Sequence, residues 1–271
     1  MKSFPAFGIL FGSRDRLSEL RVLLEKNSGL PGPRGNLELA HSFAASVAGM
    51  RLAEWQWDFL TATAAMSITK APVNSAKEFL PFCATLALGA LLGDGLPRPR
   101  RRAALAALAA AGEDRRWRMR EAAAMGLQLV GERDPALLRE IVADWLPGAS
   151  FLTMRAIAAG LAHPPLLKDP DFALFALATA RPLLAALSRS GAKERTEESF
   201  KILRQGLGYA LSVFVAANPG EGFPLMRRIA AVRDPDTAWV IRENLKKKRI
   251  SEPFPKECGQ VALILEEANA R

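Results

Sequence analysis

The chain has 271 residues, 49% of them apolar, and carries 37 basic against 28 acidic side chains for a net charge of +9. Such an apolar share supports a continuous core and excludes a disordered chain. The abundance of Ala and Leu beside a single Tyr favours helix over sheet, because Ala and Leu lose little side-chain freedom in a helix.

The first residues, Met1 to Phe11, are broken by Pro5 and Gly8 and followed at once by Arg14-Asp15-Arg16, so they are expected to form a strap on the first helices, not a leader. A helix is predicted from Arg14 to Lys26, and Gly29 to Gly35 is a break. Asn36 can cap a second helix reaching Met50. A third runs from Glu54 to Ser67 and carries Trp55-Gln56-Trp57-Asp58, where Trp55 shares a face with Phe59. That cluster reads as a core Trp plus a surface Trp, or as a base-stacking pocket. A fourth helix is predicted to open at Asn74 or Ser75 and reach Leu92. Its apolar run, Phe79 to Leu92, contains Pro81 and falls short of the roughly 18 residues needed to span a bilayer. No membrane partner is expected.

After the linker Gly93 to Pro99, an alanine-rich helix covers Arg100 to Ala111. Asp114 is expected to cap the next, which runs to Val130. Pro135 fits the first turn of a helix ending near Trp145, and Phe151 to Ala162 follows as its partner. Asp169-Pro170 opens a helix to Arg189, with Pro182 as a kink. A long helix is predicted from Glu194 to Ala217, in which Gly206 and Gly208 point to a closely approaching neighbour. Gly222 to Ala231 forms a short helix. Asp234-Pro235-Asp236 caps one ending in Lys246-Lys247-Lys248-Arg249, and Pro255 to Asn269 closes the chain.

One pattern recurs. Asp114-x-x-Trp117-x-x-Arg120-Glu121 returns as Asp236-x-x-Trp239-x-x-Arg242-Glu243, and Leu152 to Ile157 keeps its apolar residue and Arg155. Recurrence joined to short Pro/Gly turns predicts an all-α, right-handed α-α superhelix of helical hairpins. The expected organisation is a single solenoid domain over 1–271, with irregular helices in 1–95, repeats in 96–250 and a capping helix in 251–271.

Both copies resemble HEAT repeats, and in particular those of the HEAT-like proteins grouped with the AlkD-type alkylpurine DNA glycosylases, over roughly Arg100 to Ile250. The resemblance implies a C-shaped solenoid whose basic concave face cradles duplex DNA. It also implies a site where tryptophans and a carboxylate hold a cationic damaged base, the carboxylate being an Asp one helical turn after a Trp. Here Trp117 and Glu121 stand at i and i+4 on one helix face, with Glu in place of Asp. They are the catalytic candidates. The repetition of the pair as Trp239 and Glu243 equally allows a consensus role, with Trp packed between hairpins and the Arg-Glu pair tying neighbours together.

Charge is uneven: residues 1–95 sum to +1 and residues 96–271 to +8. The nucleic-acid-binding candidates are Arg98, Arg100, Arg101, Arg102, Arg116, Arg118, Lys246, Lys247, Lys248 and Arg249. Helix entry at Arg98 to Arg102 suits phosphates, though a solvated linker accounts for the same run. Lysines at a helix C-terminus also offset the dipole. The leading expectation is a solenoid that binds nucleic acid, above all the duplex DNA backbone, with the resemblance linking it to DNA alkylation repair. The alternatives are a protein–protein scaffold without enzymatic activity and an alkylpurine DNA glycosylase. Cys83, Cys258, His41 and His163 are isolated, so no metal or other cofactor is expected, and buried free thiols fit the cytoplasm.

Overall fold

A computed structural model describes residues 6–270, so Met1 to Pro5 of the expected strap lie outside the described residues. The class is all-α: the described residues form 16 α-helices joined by loops and short 3-10 turns, with no strand among them. The chain divides into two compact units, Met1–Ile141 and Val142–Arg271.

Unit one holds α1 (Ala6–Phe11), α2 (Leu17–Lys26), α3 (Leu37–Ala48), α4 (Glu54–Ala64), α5 (Phe79–Gly93), α6 (Arg98–Gly112) and α7 (Trp117–Arg133). Helix α8 (Pro135–Trp145) carries the chain into unit two. The organising element is α5. Every residue from Phe79 to Leu92 is buried, as a helix that is apolar all round must be. Helices α2, α3, α4, α6 and α7 pack against it. The segment Ala76–Gly93 is long and apolar enough to cross a membrane by length and composition, yet 83% of it is buried inside the protein. Its closest neighbour is α7: a Cβ on Gly89 would lie 2.6 Å from the Gly126 Cα, so only two glycines allow this approach. The described part of the N-terminal segment does pack, since Phe7 and Phe11 meet the Phe43 ring edge-on at 5.4 and 5.9 Å.

Local signals set several starts. The Asn36 side chain accepts the Leu39 N–H at 3.1 Å and caps α3. The fourth predicted helix begins later than expected. Asn74 takes a left-handed φ of 58°, Ala76–Glu78 forms a 3-10 turn, and only then does α5 start. The reason is tertiary, because the Asn74 side-chain Oδ1 accepts from the Gly32 N–H and from the Arg118 guanidinium. Of the two tryptophans of α4, the core one is Trp57. Trp57 is 6% exposed beneath the Arg100 guanidinium, while Trp55 is half-buried between Phe11 and Arg14.

Unit two holds α9 (Phe151–Leu161), α10 (Pro170–Arg189), α11 (Ala192–Thr196), α12 (Glu198–Ala217), α13 (Pro219–Ala230), α14 (Pro235–Leu245), α15 (Lys248–Ser251) and α16 (Pro255–Ala270). Here α12 is the hub, packed against α9, α10, α13 and α14. The close neighbours signalled by its glycines are side chains. A Cβ on Gly206 would sit 3.1 Å from Arg155 Cγ, and one on Gly208 would sit 2.9 Å from the Trp239 ring. The long predicted helix is split at Glu197, whose extended backbone separates α11 from α12. Helix α10 runs on through Pro182. Asp169 and Asp234 cap α10 and α14 through the N–H groups of Asp171 and Thr237. The Lys246 to Arg249 run does not end a helix. Helix α14 stops at Leu245, Lys247 is extended, and Lys248 and Arg249 open α15.

Candidate functional site

The N-terminal end of α7 carries the first copy of the recurring motif. Asp114 does not cap the helix as expected: Arg116 occupies the N-cap position and α7 begins at Trp117. The Asp114 carboxylate instead turns back on Arg116, accepting its backbone N–H at 2.7 Å and its guanidinium at 2.9 and 2.6 Å. The same guanidinium donates to the Ala71 and Met66 carbonyls at 3.0 and 2.9 Å. Burial alone would raise the Asp114 carboxyl, but the hydrogen bonds from Arg116 and the charges of Arg116 and Arg120 hold it below its ordinary value. Arg120 closes the turn by donating to the Asp114 and Arg115 carbonyls.

Two residues after Arg116, Arg118 points inward. Its Nη1 meets Glu78 at 3.1 Å, and its Nη2 donates to the Gly32 carbonyl at 2.6 Å and to Asn74 Oδ1 at 3.2 Å. Asn74 in turn donates its N–H to Glu78 at 2.7 Å. Glu78 is fully buried. Arg118 therefore ties the loop at Gly32 and the turn at Asn74 to the start of α7. Expected on the surface as phosphate ligands, Arg116 and Arg118 are 3% and 5% exposed. The Nε and both Nη groups of Arg116 and both Nη groups of Arg118 are spent on protein carbonyls, carboxylates and the Asn74 amide, which leaves them no donors for a phosphate; the buried Arg118 Nε alone has no partner.

Against this scaffold lies a pocket of about 230 Å³, wholly within unit one. Trp117 and Glu121 share one wall, Phe79 and Phe82 supply aromatic surface, and Leu37, Met125 and Arg34 complete it. Trp117 is 44% exposed, although it is large and aromatic. The Arg118 guanidinium covers its ring at 4.5 Å from the centroid. The i, i+4 spacing read from the sequence does bring Trp117 and Glu121 to one site. What the sequence did not signal was the aromatic wall and Arg34, which arrive from α5 and from the loop before α3.

The second copy of the motif is spent on packing. Asp236 pairs with Arg195 and with Arg204, the latter at 2.5 Å, and Asp234 binds Arg195 at 2.6 Å. These contacts hold the Arg195 guanidinium above its ordinary pKa, the Asp234 hydrogen bond first. Trp239 lies on Gly208 and under Arg204, whose Cζ is 4.8 Å from the ring centroid. Glu243 binds Lys246.

The remaining basic candidates scatter. Arg100 binds Glu54 and the Leu52 carbonyl, and Arg101 binds Glu140 at 2.8 Å. Arg98 and Arg102 are exposed and make no ion pair among the described residues. Because α6 and α7 form a hairpin closed at residues 113–116, Arg98 to Arg102 stand at the end away from Trp117. Fifteen residues of α6 put that separation at roughly 20 Å. Lys248 pairs with Glu252 at 3.2 Å, Lys247 is half-buried, and Arg249 lies over the Tyr209 ring at 4.4 Å.

Of the thiols, Cys83 is buried and pushed well up by that burial. Cys258 is half-buried, raised by burial and by Glu257. Among the described residues no three His, Cys, Asp or Glu side chains converge. The chain matches no protein-family model, no curated protein and no solved structure.

Proposed function

We propose that this is a helical-repeat protein of the HEAT-like type that binds nucleic acid, taking one unpaired base into the pocket beside Trp117. One observation carries the reading: an exposed tryptophan and a carboxylate on one helix face open into a small pocket walled by two phenylalanines. At about 230 Å³ the pocket is smaller than the roughly 300–1,000 Å³ of sites for drug-sized ligands, so a single ring system suits it. Aromatic surface stacks any base, and a carboxylate accepts from an exocyclic amine. Arg34 at the rim and the exposed Arg115 beside α7 are placed for flanking phosphates, with Arg98 and Arg102 further along the hairpin.

The pairing of Trp117 with Glu121 also supports the second reading, an alkylpurine DNA glycosylase in which the carboxylate stabilises positive charge developing on the sugar. Arg118 weighs against it. A guanidinium already sits on the Trp117 ring, which makes that ring a better platform for a neutral base than for a cationic one.

The test is the affinity of a matched duplex and of one with a single unpaired base, each at about 50 and 200 mM salt. Tighter binding of the second duplex, lost in Trp117→Ala, is expected; equal affinity for both removes the base pocket and leaves backbone binding alone, whereas no binding at low salt removes nucleic acid altogether and favours a protein scaffold. Base release from alkylated duplex that disappears in Glu121→Gln, with binding kept, would move the protein to the enzyme reading.

A further inference from the structure

A second site lies elsewhere in unit one, between α2, α4 and the loop that follows α4. It is a groove of about 630 Å³, inside the range of roughly 300–1,000 Å³ typical of sites for small ligands. Three cations line it: Arg21, Lys70 and Lys77. All three are exposed, and none makes an ion pair among the described residues. Glu25 is the one acid on its wall, which leaves a positive excess. The floor is apolar, formed by Phe59, Ala62, Met66 and Leu80. Arg21 is held over the Phe59 ring at 5.1 Å, so one of the cations is anchored at the edge of that floor.

Thr63 adds an independent observation. It is 6% exposed and lines the groove. Its hydroxyl makes no hydrogen bond among the described residues, yet retains accessible surface. Thr61, two residues earlier on the same helix, donates its hydroxyl to the Trp57 carbonyl at 3.1 Å. The Thr63 hydroxyl is therefore open to the groove, with its donor and acceptor capacity not spent on the helix.

We infer that this groove binds an organic phosphate, its oxygens held by Arg21, Lys70, Lys77 and the Thr63 hydroxyl, and its apolar group lying on Phe59, Met66 and Leu80. Charge decides the class. Three cations against one carboxylate reject a cationic ligand, and the donor set matches phosphate oxygens, which accept from ammonium, guanidinium and hydroxyl groups alike. The apolar floor offers contact surface that inorganic phosphate alone would leave unused. The inference does not rest on the pocket beside Trp117.

The experiment is calorimetric titration of the full chain with phenyl phosphate, with inorganic phosphate and phenol as separate halves of the probe. Phenyl phosphate is expected to bind more tightly than either half. The Lys70→Gln/Lys77→Gln variant should lose about tenfold in affinity and Thr63→Val about threefold, while Trp117→Ala should bind as the wild type does. Both lysines are exposed, so the variant keeps its fold. A parallel arm measures flotation with phosphatidylcholine vesicles containing phosphatidic acid. Flotation that needs the same lysines, without phenyl phosphate binding, assigns the same phosphate chemistry to a lipid headgroup. The inference is overturned by two results. One is the absence of binding to either probe, or binding that ignores the lysine and threonine changes. The other is a lysine variant that weakens only duplex DNA.

Discussion

Gly89 and Gly126 touch backbone to backbone where α5 crosses α7, leaving 2.6 Å between the position of a Gly89 Cβ and the Gly126 Cα. Neither chain can yield, because both atoms belong to the main chains of buried helices. Gly89→Ala is therefore expected to destabilise: overpacking of about 1–3 kcal/mol outweighs the roughly 1 kcal/mol of helix propensity gained. Gly259→Ala on α16 is the control, since nothing lies within 4 Å of the added methyl. It should raise stability by up to about 1 kcal/mol. Urea midpoints of the two variants should move in opposite directions.

The Arg118–Glu78 pair is almost fully buried, with side-chain exposures of 6% and 0%. Removing one partner strands the other. Arg118→Ala should cost about 3–5 kcal/mol in urea unfolding. Replacing both partners with Met should recover a large part of that loss, because the uncompensated charge is then gone. A double variant as unstable as Arg118→Ala would show that the contacts of Arg118 to Gly32 and Asn74 matter more than the charge.

Asp114 supplies an acid-sensitive contact. Its folded pKa lies below the unfolded value of 3.8. The stability it contributes is therefore fully present above that value and lost as the pH falls through the folded one. Asp114→Asn should be less stable than wild type at neutral pH, and the gap should narrow on acidification below 3.8. Urea unfolding at both pH values reads the gap directly; a gap constant with pH would mean that Asp114 acts through shape alone.

The two recurring tryptophans should separate by phenotype. Trp239→Ala opens space over Gly208 and removes the ring under Arg204, at a cost on the order of 2 kcal/mol. Trp117 is 44% exposed, so Trp117→Ala should shift the thermal midpoint far less while removing the aromatic wall of the pocket. Equal losses in thermal stability would place both rings in the same structural role.

What could be read ahead of the structure was local. Asn36, Asp169 and Asp234 cap helices through N–H groups two or three residues away, and such contacts are written in adjacent residues. Trp117 and Glu121 share a face because helical spacing alone puts them there. The inward turn of Arg116 and Arg118 was illegible, because it depends on the Met66, Ala71 and Gly32 carbonyls, whose approach is set by tertiary packing. The charge run at Lys246 misled for a similar reason: its residues suit a helix end, but the chain straightens at Lys247 and starts α15. The groove at Thr63 left no sequence signal, since Arg21, Lys70 and Lys77 are scattered over three segments.

Arg118 and Gly32 are 86 positions apart in the chain, and one hydrogen bond joins them. During synthesis the loop bearing Arg34 is therefore made long before the residue that fixes it. The helices before α7 can form as they emerge, and Gly32 can already bond Asn74, but the contact from Arg118 to this loop waits until Arg118 has left the ribosome. Completion of the pocket thus reports that α7 has docked on α5, and a fragment ending before α7 would carry Phe79, Phe82 and Leu37 without a binding site.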